Sequence, residues 1–439
     1  MRSICLTLPT NRACAPMVTA LMREAAYAAR NFDVEVHVLV LDSSGPASFA
    51  EHASALRYAR EAHPAPHVVT HHLGEEEQRD FLRRVIHGAG VAKPELMLDL
   101  MLPESVSYGA CTNRAFLLAK ALGCESVHRR DSDSSYQVFD GELVFPVHHE
   151  LLSLGKLPHE ATDGVTESAL GPEHAGKPVA LVAGSFVGEL SVDIGEIQRL
   201  DPEVYYDVVS LWAPVGWPRE RKRELVDESF RGAGNEPFTG DRSVLTLVDP
   251  MRIDMCNIGF HGVHECVPLP PATETIGSDY FLMHLVRNAG LPGVLHNRNI
   301  VNFYTGERRT DPGFLAYQTR FTKFFFSMLY LNFLYDRLAE TGTSLLDDAH
   351  LVRADRVAEL VRESTLLDTA ENVERLDILA RSYRKLGGRY AEFAASLEPR
   401  GPRLLAEARH DMEDFALLTE VWGALMQAST STTVHRLPR

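Results

Sequence analysis

The sequence predicts an α/β chain in which a mostly parallel sheet, covered by helices on both faces, occupies residues 1–310 and an all-helical accessory domain occupies residues 311–430. Three observations predict it. Short apolar runs alternate with amphipathic segments over the first 150 residues or so, which is the rhythm of strands buried between two helical layers. From about residue 311 the apolar residues recur only at helical spacing. The loops that follow the apolar runs collect polar residues with usable chemistry, as expected where ligands bind at the carboxyl ends of parallel strands.

The first strand, residues 4–8, ends at Pro9, Thr10, Asn11 and Arg12 and leads into a helix marked by Met17, Leu21, Met22 and Ala25. The second, residues 34–41, ends at Asp42, Ser43 and Ser44 and is followed by a helix over 49–61. The third, residues 66–70, leads to an acidic helix over 75–87. After a long segment from 88 to 106, residues 107–115 open a further helix that ends near Gly123. A fourth strand-like run, 126–130, then opens into Asp131, Ser132, Asp133, Ser134 and Ser135.

In an extended strand positions i and i+2 point the same way, so Asp131 and Asp133 are placed to present oxygens to one hard cation, Mn2+ or Mg2+. Such an ion keeps positions open for a diphosphate and neutralises the charge that develops on it as a leaving group. Asp-x-Asp also arises in ordinary solvated loops, so its setting matters. In the helix that opens at 107, Gly109 either lets backbone approach a ligand or merely makes a turn, the first amides are free donors, and Arg114 offers a fork to phosphate.

The succession of Pro9-Thr10-Asn11, Asp42, Gly109 with Asn113 and Arg114, and Asp131-Ser132-Asp133 resembles the GT-A-fold glycosyltransferases over roughly residues 1–310. The resemblance implies a Rossmann-like donor half (1–150) and an acceptor half (151–310). It implies that Pro9 to Arg12 and Asp42 frame the nucleoside, that Gly109, Asn113 and Arg114 border the donor, and that Asp131 and Asp133 bind the metal. Arg129 and Arg130 depart from the pattern, which usually has apolar residues there.

Further along, 145–176 is rich in His, Pro, Gly and acidic residues and reads as a polar surface loop, because its spacings match no zinc motif. Residues 179–188 read as a buried strand ending in glycines, and 212–240 as a charged helix followed by a mobile loop. Gly277 and Ser278 precede a helix with Asp279 at its positive end. Asp279 serves capping alone or, as the resemblance implies, meets the acceptor: as general base in an inverting enzyme, or holding the donor sugar in a retaining one. The strand over 293–296 ends in His296, either a structural imidazole or, by the same resemblance, a third metal ligand. Arg298, and behind it Arg308 and Arg309, are surface arginines or stabilise the departing diphosphate.

Residues 311–430 present aromatic bulk at helical spacing (Phe314, Tyr317, Phe321, Phe324, Phe325), suited to packing on the first domain or on a second copy in a homodimer. Helical patterns over 345–363, 370–397 and 402–427 are separated by polar or Gly-Pro breaks, and 431–439 read as a frayed tail. A net charge of −16 excludes a general nucleic-acid binder. Six scattered cysteines without a Cys-x-x-Cys pair, no leader-like start and no apolar run of about 20 residues point to a cytoplasmic protein with no membrane segment.

Together these readings predict a metal-dependent glycosyltransferase of hexosyltransferase type. It moves a sugar from a UDP- or GDP-sugar to a small, soluble, polar acceptor. A sugar nucleotidyltransferase would share the sheet but needs a glycine-rich basic loop after the first strand, which Pro9 to Cys14 lacks. A catalytically silent nucleotide-sugar-binding or scaffold protein is the remaining alternative.

Overall fold

At the centre of the molecule lies β1 (Arg2–Thr10), paired in parallel on one side with β2 (Val34–Asp42) and on the other with β4 (Ser126–Arg130). The structure is a computed structural model in which residues 1–190 and 194–434 are described, so 435–439 of the expected tail lie outside it. Beyond β2 runs β3 (Val68–Leu73), also parallel. Past β4 the sheet continues with Asn257–His261, antiparallel to both its neighbours, then Leu181–Ala183, Gly293–His296, Ser243–Thr246 and Glu167–Ser168. The chain is therefore α/β, with a large, mostly parallel sheet, as expected.

Leu6, Leu8, Val36, Val38 and Val40 are fully buried, which is why these strands read as unbroken apolar runs rather than as alternation. Helices α1 (Ala15–Asn31), α2 (Pro46–Ala62) and α3 (Glu75–Ala89) alternate with them. The long segment after α3 holds one more helix, α4 (Pro94–Met101), before α5 (Tyr108–Ala121) returns the chain to β4. Because β1 has β2 on one side and β4 on the other, chain connections diverge there, and a crevice opens at the carboxyl ends of β1 and β4.

The two arginines that break the apolar pattern in β4 are buried. Arg130 is 0% exposed and is held between Glu24 of α1 and Glu150, with Nη2 2.8 Å and 2.9 Å from their carboxylates. Glu150 belongs to a buried helix, Val147–Ser153. This corrects the expectation of a polar surface loop there: His149 and Glu150 are themselves buried, and their polar atoms serve protein partners, the exposed Asp241 and the buried Arg130.

The C-terminal region is helical: Asp311–Thr341, Ala354–Ser364, Ala370–Leu386 and Gly388–Ser429. The last is one helix of 42 residues, with Pro399 and Pro402 inside it where a break was expected. An internal proline costs about 3 kcal/mol. The buried stripe of Leu397, Leu404, Ala408, Met412, Phe415 and Trp422 keeps the helix in one piece by packing on its neighbours, and at Gly401 a Cβ would lie 2.5 Å from Leu376. These helices share a core with the sheet, since Phe281 packs edge to face on Phe415 and the Trp422 indole donates to the carbonyl of His264. Among the described residues no helix is long and apolar enough to cross a membrane.

Candidate active site

The crevice deepens into a cavity of about 420 Å³. Pro9, Thr10, Asn11 and Arg12 line it from the end of β1, Ser107, Tyr108 and Cys111 from the first turn of α5, and Asp131 and Asp133 from the end of β4. The N-cap of α5 is Ser107, whose hydroxyl accepts the Ala110 amide at 3.1 Å, so the positive end of that helix borders the cavity. The rest of the wall comes from Asp254, Asp279, Tyr280 and the long helix Asp311–Thr341.

Asp131 and Asp133 do not sit in the extended strand that the sequence pattern implies. Strand β4 stops at Arg130, and residues 131–133 turn, with the Ser134 hydroxyl donating to the Asp131 carbonyl at 2.7 Å. Both carboxylates nevertheless reach the cavity, each steered by arginine. Arg129 lies 3.1 Å from Asp131 Oδ1 and 2.7 Å from Asp279 Oδ2, linking the two acids. Arg308 and Arg12 both approach Asp133 Oδ2, at 2.7 Å and 3.4 Å. Burial, reinforced by the charges of Asp133, Asp254 and Asp279, pushes the Asp131 carboxyl up to about 7 against the pull of Arg129. Burial likewise raises Asp279.

Two carboxylates with hard oxygen donors suit Mg2+ or Mn2+, ions that take one or two protein carboxylates and complete their shell with water and phosphate. The arginines use one oxygen of each carboxylate, Oδ1 of Asp131 and Oδ2 of Asp133, which leaves the other oxygen for a cation. His296 does not join them. It is buried, stacked on His149 at 5.4 Å between ring centres, and does not line the cavity.

Other expected site residues are committed elsewhere. Asp42 lies beneath the cavity, while its neighbours Leu41 and Ser43 line it. Its Oδ2 accepts from His52 Nδ1 at 2.7 Å and from His72 Nε2 at 2.8 Å. Burial alone would raise Asp42, but these bonds and one from Ser44 hold it well below the usual carboxylate range. Asp42, His52 and His72 are close enough to suggest a metal cluster. However, His52 Nε2 accepts the Cys14 amide at 2.9 Å, so its proton sits on Nδ1, facing Asp42, and no lone pair is left for a metal. Asn113 clamps the backbone of Leu269 through both amide atoms. A Cβ on Gly109 would lie 1.9 Å from the Pro270 carbonyl, so this glycine serves close packing. Arg298 forms a bidentate pair with Asp241, at 2.6 Å and 2.8 Å, away from the cavity. Arg114 does line it, through a guanidinium anchored on Gln78 and the Met101 carbonyl.

Sequence reasoning missed Asp254, whose Oδ2 accepts the Tyr280 hydroxyl at 2.6 Å, and it missed the role of Arg129. A signal for Arg129 existed, since an arginine inside a buried strand requires carboxylates beside it.

A model of a family described as "Family of unknown function (DUF6271)" matches residues 2–438. Comparison with curated proteins gives no match. Among solved structures, the mannosyltransferase PcManGT from Pyrobaculum calidifontis, in complex with GDP-Man and Mn2+, aligns with a TM-score of 0.36 and 13% identity, over 95% of this chain and 86% of that chain.

Proposed function

The chain belongs to the DUF6271 family of unknown function, and we propose that it is a glycosyltransferase that uses a nucleoside-diphosphate sugar, UDP- or GDP-linked. One observation carries the reading. Asp131 and Asp133, at the end of the strand beside the switch point, lie in a single cavity lined first by the β1 loop and the start of α5, and second by Asp254 and Asp279. The first group suits a nucleotide and its phosphates. The second brings carboxylates to where an incoming hydroxyl would stand.

The charge of the cavity supports a divalent ion. Among the described residues seven acidic side chains and five arginines line it, a formal net charge of −2 when every carboxylate is ionised and before any diphosphate enters. A cation on Asp131 and Asp133 would relieve that excess and polarise the diphosphate. Arg308 and Arg12 approach the same spot and keep buried donors, Nη1 and Nε, without a partner among the described residues, available to phosphate oxygens.

In the transfer, the acceptor oxygen forms a bond to the anomeric carbon while the bond from that carbon to the diphosphate breaks. The electron pair leaves with the nucleoside diphosphate. Asp279 faces the acceptor hydroxyl and, in a displacement with inversion, takes its proton. Asp254, fixed by Tyr280, stands beside it.

The test is thermal shift with UDP and with GDP, each with and without Mn2+, on the native chain and on Asp133→Asn. At a ligand concentration of about 100 Kd, binding adds about 2.7 kcal/mol. For 439 residues that is a rise of about 3 °C, at about 2 cal/mol/K of unfolding entropy per residue. A Mn2+-dependent rise with one nucleotide, abolished in Asp133→Asn, supports the reading; no rise with either nucleotide refutes it. Pyrophosphate release from a nucleoside triphosphate and a sugar phosphate would assign the site to nucleotidyl transfer instead.

A further inference from the structure

Beyond Asp254 and Asp279 the cavity continues into a chamber whose walls come from distant parts of the chain. The helix Asp311–Thr341 gives Phe324, Met328 and Tyr335, which are four and seven residues apart and so form one stripe on one face. Trp212 meets Phe324 edge to face at 5.3 Å and Phe230 at 5.8 Å. Ile276 closes the chamber next to Gly277, where a Cβ would lie 2.7 Å from the Phe324 ring. Tyr335 is stacked on His284 at 3.7 Å between ring centres, and both line the cavity.

This wall is unsuited to a polyhydroxylated acceptor. Every sugar hydroxyl that leaves water needs a partner, and Phe230, Phe324, Met328 and Ile276 supply none. The carboxylates nearest this wall are Asp279 and Asp254, the latter paired with Tyr280, while Glu228, Arg231 and His284 also line the cavity. Aromatic side chains held against one another, Trp212 edge to face on Phe324 and tilted on Phe230, form a slot for a planar apolar body. Such walls favour a ring body over the small polar acceptor expected from the sequence.

We propose that this half of the cavity binds a small molecule with an apolar, preferably aromatic, ring body that carries a hydroxyl toward Asp279 and Asp254. That the ligand is a glycosyl acceptor rests on the glycosyltransferase reading; that the chamber binds a ring does not.

The test is calorimetric titration of the full chain with 2-naphthol, cyclohexanol and methyl glucoside, with the nucleotide thermal shift measured on the same samples. Two variants accompany it: Ile276→Trp, which fills the chamber, and Phe324→Leu, which removes a ring from its wall. The expected result is 2-naphthol binding at least tenfold tighter than methyl glucoside, with cyclohexanol between them, and at least tenfold weaker binding of 2-naphthol in Ile276→Trp. Methyl glucoside binding as tightly as 2-naphthol overturns the proposal, as does 2-naphthol binding unchanged in both variants. Variant-sensitive binding of 2-naphthol without any nucleotide shift upholds the ring site and refutes the glycosyltransferase reading alone. A nucleotide shift without 2-naphthol binding does the reverse.

Discussion

Replacing Arg130 by Met isolates the device that fixes the end of β4 and hence the turn that carries Asp131. The Arg130 guanidinium makes five hydrogen bonds: to Glu24 at 2.8 Å and 3.1 Å, to Glu150 at 2.9 Å and 3.0 Å, and to the Arg129 carbonyl at 2.8 Å. All three charged side chains are 0% exposed. Methionine matches much of the volume but strands two carboxylates without water, and breaking a buried pair in this way costs about 3–5 kcal/mol. The sign of the pH dependence is a sharper test than the size. Burial alone would raise Glu150, but Arg130 and His128 outweigh it and bring the carboxyl from 4.5 down to about 2. The native chain therefore draws stability from Glu150 that is present above 4.5 and lost as pH falls toward 2. In Arg130→Met the main counterweight is gone, and the folded pKa is expected to rise above 4.5. The variant's deficit is then small only near pH 2, is already large at pH 4.5, and grows further as pH rises to the variant's own folded pKa. Urea unfolding followed by circular dichroism at about pH 5 and about pH 8 measures it. A deficit under about 1 kcal/mol at the higher pH, or one equal at both, would refute the reasoning. Adding Glu24→Gln and Glu150→Gln to Arg130→Met should recover much of the loss, because the stranded charges are then absent.

Three further outcomes follow from the same geometry. Arg308→Ala frees Asp133 yet removes a charged donor from the phosphate side, so the Kd for UDP or GDP should rise by about 10- to 100-fold by calorimetry, the worth of one charge-assisted hydrogen bond. An unchanged Kd would place Arg308 outside the donor site. Gly109→Ala should destabilise by about 1–3 kcal/mol in urea, because its Cβ overlaps the Pro270 carbonyl and backbone must move; a neutral result would mean that the start of α5 yields freely. His264, buried against Phe116, has its pKa lowered to about 3 by burial first and then by His261, Lys120 and His128. A depressed folded pKa stabilises above 6.5 and loses that stability as pH falls toward 3, so His264→Phe should flatten the decline of the urea midpoint over that window, and an equally steep decline would refute it.

The fold was more legible in the sequence than the site, and the reason is physical. Strands β1, β2 and β4 must bury both faces, and that requirement leaves runs such as Val36, Val38, Leu39 and Val40 that no other environment explains. A polar residue in a loop records only its capacity, not the partner that uses it. Asp42 was read as a nucleoside ligand, but His52 and His72 use it. Asn113 was read as bordering the donor, but the backbone of Leu269, 156 residues away, holds it. Arg298 reads from the sequence as a surface arginine or a diphosphate ligand, but Asp241, 57 residues earlier, takes its Nε and Nη2, and the Phe145 carbonyl takes its Nη1. In each case the consuming partner arrives by tertiary packing, which the local pattern does not encode.

Charge, however, carried a signal in the sequence that the local motifs did not. An arginine in the core cannot stay without an acid beside it, so Arg129 and Arg130 in succession on a buried strand demand carboxylates on both faces of the sheet, since consecutive side chains point to opposite sides. The structure supplies them: Glu24 and Glu150 take Arg130, while Asp131 and Asp279 take Arg129. Only the second pair of acids lies in the cavity. The same strand thus uses one arginine to lock its position and the next to link two acids, Asp131 and Asp279, through a single guanidinium. Any ligand charge or proton change at one of these acids alters the pull of Arg129 on the other. On the glycosyltransferase reading, this link joins the acid on the diphosphate side to the acid that meets the acceptor.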